Sequence, residues 1–356
     1  MFTLLVLCVY SFLSLFNFQL YLYKSDSSEL KINSKLTWID VRCPREYDRG
    51  HFTNAINIPI FSNKEYQELG EIYKKKGEDT ASQLGYEYAL NSKTRILDSV
   101  KKTKENNFII YCARGGMRSK GFQSILDQEN YKSSRLKRGY KEIREQVLNS
   151  FEEKRTVVII AGSTGTGKTT IINKMKDNGH DIIDLEMIAN HRGSAFGDLG
   201  ISKQASQQQF ENDLSYYWLK TDPSKHIFIE SESRKIGKVS IPEGVWIQMK
   251  KGLYLKIAMK IDRRVENLIK DYGGYPKLDL ERRIHQISRK LGGENAKMAI
   301  DFLKNNNLHE LCKFLLENYY DKMYRVAYKK RDSKKEKIEV ADETNDQIIN
   351  TILTKV

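Results

Sequence analysis

Short apolar runs separated by polar, turn-rich stretches organise the chain into two successive α/β patterns. Thr37–Val41 (TWIDV) reads as a strand, the stretch around Arg45–Tyr47 as a helix and Gly50 as a turn; Ala55–Ile60 (AINIPI) reads as a second strand. The Lys-rich stretch from Ser62 to Lys104 predicts helices and loops with solvated faces. Asn107–Tyr111 (NFIIY) is a compact buried strand that runs into CARGGMRS and then a helical SKGFQSILDQ. This first pattern ends near Leu148, and Glu152–Arg155 (EEKR) forms a charged joint. Thr156–Gly162 (TVVIIAG) opens the second pattern, with a buried strand, a Gly-rich turn and a helix that stops at Gly179. DIIDLE and HIFIESE read as further strands, and from Tyr254 onward the pattern is mostly helical. Two βαβ-type domains in series, 30–148 and 155–356, are the simplest architecture, the second with a helical C-terminal part.

Residues 1–29 form a third, apolar piece. Met1–Tyr23 holds no charged side chain and is long enough to span a bilayer. It lacks a basic leader region, and its flanking Lys24, Lys31 and Lys35 would keep the following domains in the cytoplasm. The expectation is a cytoplasmic enzyme with a candidate N-terminal membrane anchor. Cys8, Cys43, Cys112 and Cys312 show no CxxC pair or zinc spacing, which argues against a disulfide framework and a structural metal. The net charge of +14 favours a polyanionic partner. Basic stretches at Arg135–Arg144 and Tyr328–Lys337 are the candidate contacts, against the plainer reading of solvated helices.

Gly162-Ser163-Thr164-Gly165-Thr166-Gly167-Lys168-Thr169 matches G-x-x-x-x-G-K-[ST] in full, with a strand before and a helix after. Gly162, Gly165 and Gly167 free the backbone so that successive N–H groups converge on a phosphate. Lys168 supplies a point charge, Thr169 is placed to hold Mg²⁺, and the helix adds its positive end. Glu230 and Glu232 share one strand-end face and are candidate supporting acids; Asp184 and Glu186 are rivals for that role.

Cys112 lies between a buried strand and a helix, on Cys112-Ala113-Arg114-Gly115-Gly116-Met117-Arg118. Loop N–H groups and the charges of Arg114 and Arg118 should depress the thiol pKa, making a nucleophilic thiolate and an anion cradle. Cys8 and Cys312 read as inert, and Cys43, before a proline, as a filler rather than a resolving thiol. The same loop spells C-x5-R, so a phosphatase is an alternative, although no Asp stands out as its general acid.

The chain resembles the tRNA 2-selenouridine synthases over about residues 30 to 330. TWIDVRCPREYDRGHFTNAINIPI and YCARGGMRS resemble a rhodanese domain, and NKEYQELGEIYKKKGEDTASQLG, DLEMIANHRGSAFGDLG, IESESRKIG and LENYYDKMY extend the likeness. The resemblance implies a rhodanese-like α/β domain followed by a P-loop NTPase-like α/β domain. It implies conversion of wobble 2-thiouridine, in the anticodon arm of tRNA, to 2-selenouridine through an S-geranyl intermediate. Geranyl diphosphate and selenophosphate would be substrates, with no tightly bound cofactor and Mg²⁺ as an optional ion. By similarity Cys112 is the catalytic cysteine, with Arg114, Gly115, Gly116 and Arg118 forming the selenium or anion loop. His191, Arg192 and Ser194 of the HRGS segment would meet the diphosphate or tRNA, or form an ordinary loop. A P-loop kinase or ATPase fused to a sulfurtransferase is the other reading.

Overall fold

The computed structural model describes residues 36–191, 203–323 and 334–356. By packing, the chain divides into two units: the chain through Ser150 with Ser206–Lys220, and Phe151–Ala205 with Thr221–Val356.

In the first unit, β1 (Thr37–Asp40), β2 (Ile56–Asn57), β3 (Asn107–Tyr111) and β4 (Lys132–Arg135) form a parallel sheet in the order β2-β1-β3-β4. β3 is internal and buried from Phe108 to Tyr111, as its unbroken apolar run requires. The strand expected over Ala55–Ile60 shortens to Ile56–Asn57, although Ile58 N and Ile60 N still donate to Asp40 O at 3.1 Å and Val41 O at 3.2 Å; the Asn57 side chain adds bonds to the Asp40 and Arg42 carbonyls, both at 2.9 Å. The helices are α1 (Pro44–Arg49), α2 (Asn63–Lys76), α3 (Glu78–Asn91), α4 (Lys93–Lys102), α5 (Met117–Asp127) and α6 (Tyr140–Ser150). Pro44 starts α1 where a missing N–H costs nothing, and Ser62 and Glu65 cap α2 reciprocally. Ile39, Ile96, Ile110, Phe122 and Leu126 fill the core between sheet and helices.

In the second unit, β5 (Thr156–Gly162) leads through the Gly-rich turn into α7 (Lys168–Asp177), followed by β6 (Asp181–Ile183) and α8 (Leu185–Ala189). β7 (His226–Glu230) is followed by the antiparallel pair β8 (Lys235–Ile236) and β9 (Val239–Ser240). α10 (Glu243–Lys251), β10 (Leu253–Met259) and α11 (Ile261–Tyr272) complete the α/β part. The parallel sheet runs β11-β10-β5-β7-β6, with β11 spanning Lys335–Val340. β10 and β11 lie in the region the sequence reads as mostly helical. Alternating charges in KEKIEV hide an edge strand whose Ile338 and Val340 face the core. α12 (Lys277–Leu291), α13 (Gly293–Lys304) and α14 (Leu308–Leu315), which runs on into a π-helical turn over Leu316–Tyr320, pack around their own apolar cluster of Ile284, Ala299, Leu303 and Leu311. α15 (Asn345–Leu353) covers the sheet with Ile348, Ile349 and Ile352.

One helix departs from the sequence-based division. α9 (Gln207–Lys220) lies between β6 and β7 in the chain yet packs with the first unit. Arg144 of α6 binds Glu211 and donates to Asn212 Oδ1 at 2.6 Å, and Asn212 donates in turn to the Tyr140 hydroxyl and the His51 carbonyl. Amphipathic spacing announces a helix but not which sheet it covers, so 155–356 is not one uninterrupted packing unit.

Among the described residues no helix is long and apolar enough to cross a membrane, and the apolar segment 1–23 lies outside them.

Candidate functional site

Each unit carries one loop with unusual chemistry at the end of a buried strand. In the first unit β3 delivers Cys112 to the turn before α5. The loop is stitched to the start of α6: Tyr140 N donates to Cys112 O at 2.8 Å and Lys141 N to Ala113 O at 3.1 Å. Gly115 (φ 69°) and Gly139 (φ 58°) make this approach feasible, since a Cβ on Gly115 would strike the Lys137 carbonyl and one on Gly139 the Cys112 carbonyl. Arg135 Nη1 adds a bond to Gly115 O at 3.2 Å.

Cys112 is only 3% exposed, and burial pushes its thiol up. The Ser119 hydroxyl 3.4 Å from Sγ, the Ser119 and Arg114 backbone N–H groups and the Arg118 charge outweigh burial and leave the thiol below its ordinary value. Cys43 and Cys312 move the opposite way under burial, Cys312 up to about 11. Of the described cysteines, Cys112 is therefore the one suited to react as a thiolate. Arg114 is exposed. Arg118 is tethered: it donates to Glu46 Oε2 at 2.6 Å and lies 4.9 Å from the Tyr66 ring. Glu46 also accepts from the Cys43 backbone N–H at 3.3 Å, so α1 and α5 are tied beside the loop. Gly116 caps α5 and directs its N-terminus along the same loop.

In the second unit the P-loop has its strand, turn and helix in place. Gly165 (φ 82°) and Gly167 (φ 72°) take the left-handed conformation, and Gly162 lies against Thr166 so closely that no side chain would fit. β5 pairs directly with β7, with Ile160 opposite Glu230, which sets the buried Glu230 carboxylate beside the loop. Lys168 Nζ lies 3.5 Å from Glu230 Oε1, and the Thr169 hydroxyl donates to Glu230 Oε2 at 3.3 Å. Glu186, Glu230 and Glu232 bring carboxylate oxygens within 4.8 Å of one another. Burial first raises all three above ordinary carboxylates; repulsion from Glu230 adds to it at Glu186 and Glu232 and repulsion from Asp184 at Glu230, while Lys168 pulls each the other way. Asp184 is used differently: its side chain caps α8 by accepting from Met187 N at 2.8 Å. His191 closes the end of α8 through a backbone bond to Glu186 O at 3.0 Å, while Arg192 and Ser194 lie outside the described residues.

Three supporting residues escape a reading by motif. Arg264 of α11 is buried; its Nε donates to Thr164 O at 2.8 Å and its Nη atoms hold Asp321 at 2.7 and 3.0 Å. Asn267, one turn on, donates to Gly165 O at 2.8 Å. These bonds fix the P-loop from behind, leaving its N–H groups for an anion. A charged residue inside the apolar face of α11, between Ile261 and Leu268, was the available signal.

Comparison with known proteins joins the two loops. The family model described as the tRNA 2-selenouridine synthase AAA domain matches residues 155–355, and the Rhodanese-like domain model matches residues 26–146. The chain belongs to the tRNA 2-selenouridine synthase family. A tRNA 2-selenouridine synthase of Shewanella frigidimarina is 30% identical, covering 83% of this chain and 89% of its own. Relatives of the same name from Hydrogenovibrio crunogenus and Proteus mirabilis are 31% and 32% identical, covering 87% and 83% of this chain and 94% and 90% of their own. Family membership assigns the first unit's sheet to the rhodanese-like fold and the second to a P-loop-like AAA domain with helices toward its C-terminus. The fold expected from sequence is borne out.

Proposed function

We propose that this chain is a tRNA-modifying enzyme that converts wobble 2-thiouridine to 2-selenouridine in two steps. In the first, the thiocarbonyl sulfur attacks C1 of geranyl diphosphate; the C–O bond breaks and diphosphate leaves. In the second, selenium from selenophosphate attacks C2 of the alkylated base, the S-geranyl group departs as the thiol, and cleavage of the P–Se bond by water releases phosphate. The observation that carries the reading is Cys112, a buried thiol held below its ordinary value, in one chain with a complete P-loop.

The P-loop suits the first step. Lys168 and the loop N–H groups stabilise charge that grows on the leaving diphosphate, which lowers the barrier rather than merely binding the ground state. Thr169, Glu230 and the neighbouring Glu186 and Glu232 offer hard oxygen donors that fit Mg²⁺, which would neutralise diphosphate charge. Cys112 suits the second step, carrying or positioning selenium, with Arg114 and the N-terminus of α5 facing the anionic donor. tRNA, met at its anticodon arm, is the polyanionic partner of the basic chain, and it sets the compartment as the cytoplasm. Within the stretch Arg135–Arg144, Arg135 and Arg144 are engaged in holding the fold, so Arg138 and Lys141, which are exposed and pair with Glu145 at the surface, are the better phosphate contacts.

The test is nucleoside mass spectrometry of 2-thiouridine tRNA incubated with both substrates. Cys112→Ser should accumulate S-geranyl-2-thiouridine without selenouridine, and Lys168→Ala should block the geranyl step. Full selenouridine formation by Cys112→Ser would refute the assignment. ATP turnover indifferent to tRNA and geranyl diphosphate would favour the kinase or ATPase reading.

A further inference from the structure

The phosphate site of the second unit does not end in solvent on every side. Its cavity, about 350 Å³, is lined by the P-loop, Glu186, Glu230 and Glu232, and also by Leu268 and Tyr272 of α11. Thr164, Leu268 and Tyr272 line in addition a second, half-enclosed cavity next to the first. Its walls are almost wholly apolar: Leu280 and Ile284 of α12 and Leu308, Leu311 and Leu315 of α14, with the Cys312 thiol among them. The two cavities share three lining residues, so a charged lining adjoins a hydrocarbon one across Thr164, Leu268 and Tyr272. Arg264 holds the boundary residue Thr164 in place through its bond to the Thr164 carbonyl and its pair with Asp321.

We propose that this apolar cavity takes the hydrocarbon tail of the diphosphate ester bound at the P-loop, and that Leu280, Ile284, Leu311 and Cys312 set which tail lengths are accepted. The proposal rests on the reading that the P-loop holds an allylic diphosphate. A nucleotide directed into the same space would bury its ribose hydroxyls and base nitrogens against leucine and isoleucine, where few hydrogen-bond partners stand. An acyclic hydrocarbon makes no such demand and gains from every methylene it takes out of water.

Size shapes the expected behaviour. The cavity measures about 70 Å³, against the roughly 150 Å³ of a dry engineered cavity that admits benzene. A ten-carbon tail therefore enters by pushing side chains at the rim into other rotamers, and a five-carbon tail disturbs them less. The walls can respond because α12, α13 and α14 pack around a cluster of their own rather than around the sheet.

The experiment uses the full chain in Mg²⁺ and measures binding of inorganic diphosphate, dimethylallyl diphosphate and geranyl diphosphate by calorimetry. Each methylene placed in the cavity should strengthen binding about three- to four-fold, so affinity climbs with tail length. Equal affinities for inorganic and geranyl diphosphate in the unaltered chain overturn the proposal, whatever any variant does. Cys312→Phe, which fills the cavity, should weaken geranyl diphosphate about ten-fold or more and leave inorganic diphosphate within about two-fold. Leu311→Ala should shift preference toward the fifteen-carbon farnesyl diphosphate. If Cys312→Phe folds by circular dichroism and binds geranyl diphosphate as before, the tail lies elsewhere while the P-loop reading stands. If Lys168→Ala leaves inorganic diphosphate binding unchanged, the P-loop reading itself falls, and the tail assignment with it.

Discussion

Arg264→Met tests whether the P-loop is held from α11. Arg264 is buried, its carboxylate partner Asp321 has a side chain 19% exposed, and the two share hydrogen bonds of 2.7 and 3.0 Å. Methionine keeps most of the apolar stem but strands the Asp321 carboxylate and removes the donor from Thr164 O. Breaking a buried pair from one side costs about 3–5 kcal/mol. Partial access of water to Asp321 puts the expectation at the lower end, about 3 kcal/mol, still a large share of the roughly 5–15 kcal/mol that holds a domain. Removing both charges, in Arg264→Met with Asp321→Leu, should return part of that loss, with a coupling of roughly 1–3 kcal/mol. A two-domain chain need not unfold in one step, so the readout is hydrogen exchange of the α11 and P-loop amides rather than a global melt. Inorganic diphosphate binding in Mg²⁺ should weaken alongside. Unchanged protection of α11 in Arg264→Met, or strictly additive losses in the double variant, would refute the reasoning.

Three further outcomes follow from the two loops. Ser119→Ala removes the hydroxyl beside Cys112 Sγ, so the pH profile of Cys112 alkylation should move to higher pH and the rate at pH 7 should drop about ten-fold; an unmoved profile would show that the hydroxyl does not stabilise the thiolate. Gly115→Ala forces a positive φ on alanine, about 1–2 kcal/mol by itself, and drives Cβ into the Lys137 carbonyl, whereas Gly116→Ala meets nothing within 4 Å; melting temperature and Cys112 alkylation should separate the two, and equal behaviour would count against the loop geometry. Because the folded pKa values of Glu186, Glu230 and Glu232 are raised, their contribution is full below the ordinary carboxylate range and is lost as pH rises through the raised values. Mg²⁺ replaces those protons, so its stabilising shift in melting temperature should be larger at pH 8 than at pH 6, and the reverse order would exclude the cluster as the ion's site.

What could be read from the sequence was what the backbone demands locally. Gly165, Gly167 and Gly115 occupy positions that need a positive φ, and a Gly-rich turn between an apolar strand and a helix announces itself without tertiary information. Cys112 was legible for the same reason, since its acidity comes from Ser119 and the loop amides within seven residues. Long-range pairing stayed hidden. Arg264 and Asp321 meet across 57 positions, and nothing in either helix names its partner. Asp184 and Glu186 are equivalent as written; only the cap to Met187 N takes Asp184 out of the cluster and leaves Glu186 in it. The packing of α9 was missed because its pattern does not name the sheet that buries it, and the edge strand β11 because the alternating charges of KEKIEV hide a strand.

The charge balance at the P-loop gives the acidic cluster a role that neither the motif nor the fold supplies. Lys168 faces Glu230, and Glu186 and Glu232 lie close by, so full ionisation would set three negative charges against one positive at the place proposed for a diphosphate. Such a site repels its own ligand unless protons or a divalent cation compensate. The raised carboxylates already resist ionising together, which is the protein's response in the absence of an ion. A cation held by the oxygens of Glu186, Glu230 and Glu232 would turn the repulsion into attraction and would leave Lys168 available to an anion. The same carboxylates would then disfavour diphosphate once the cation leaves, which is what the proposed reaction, with its anionic product, would ask of the site.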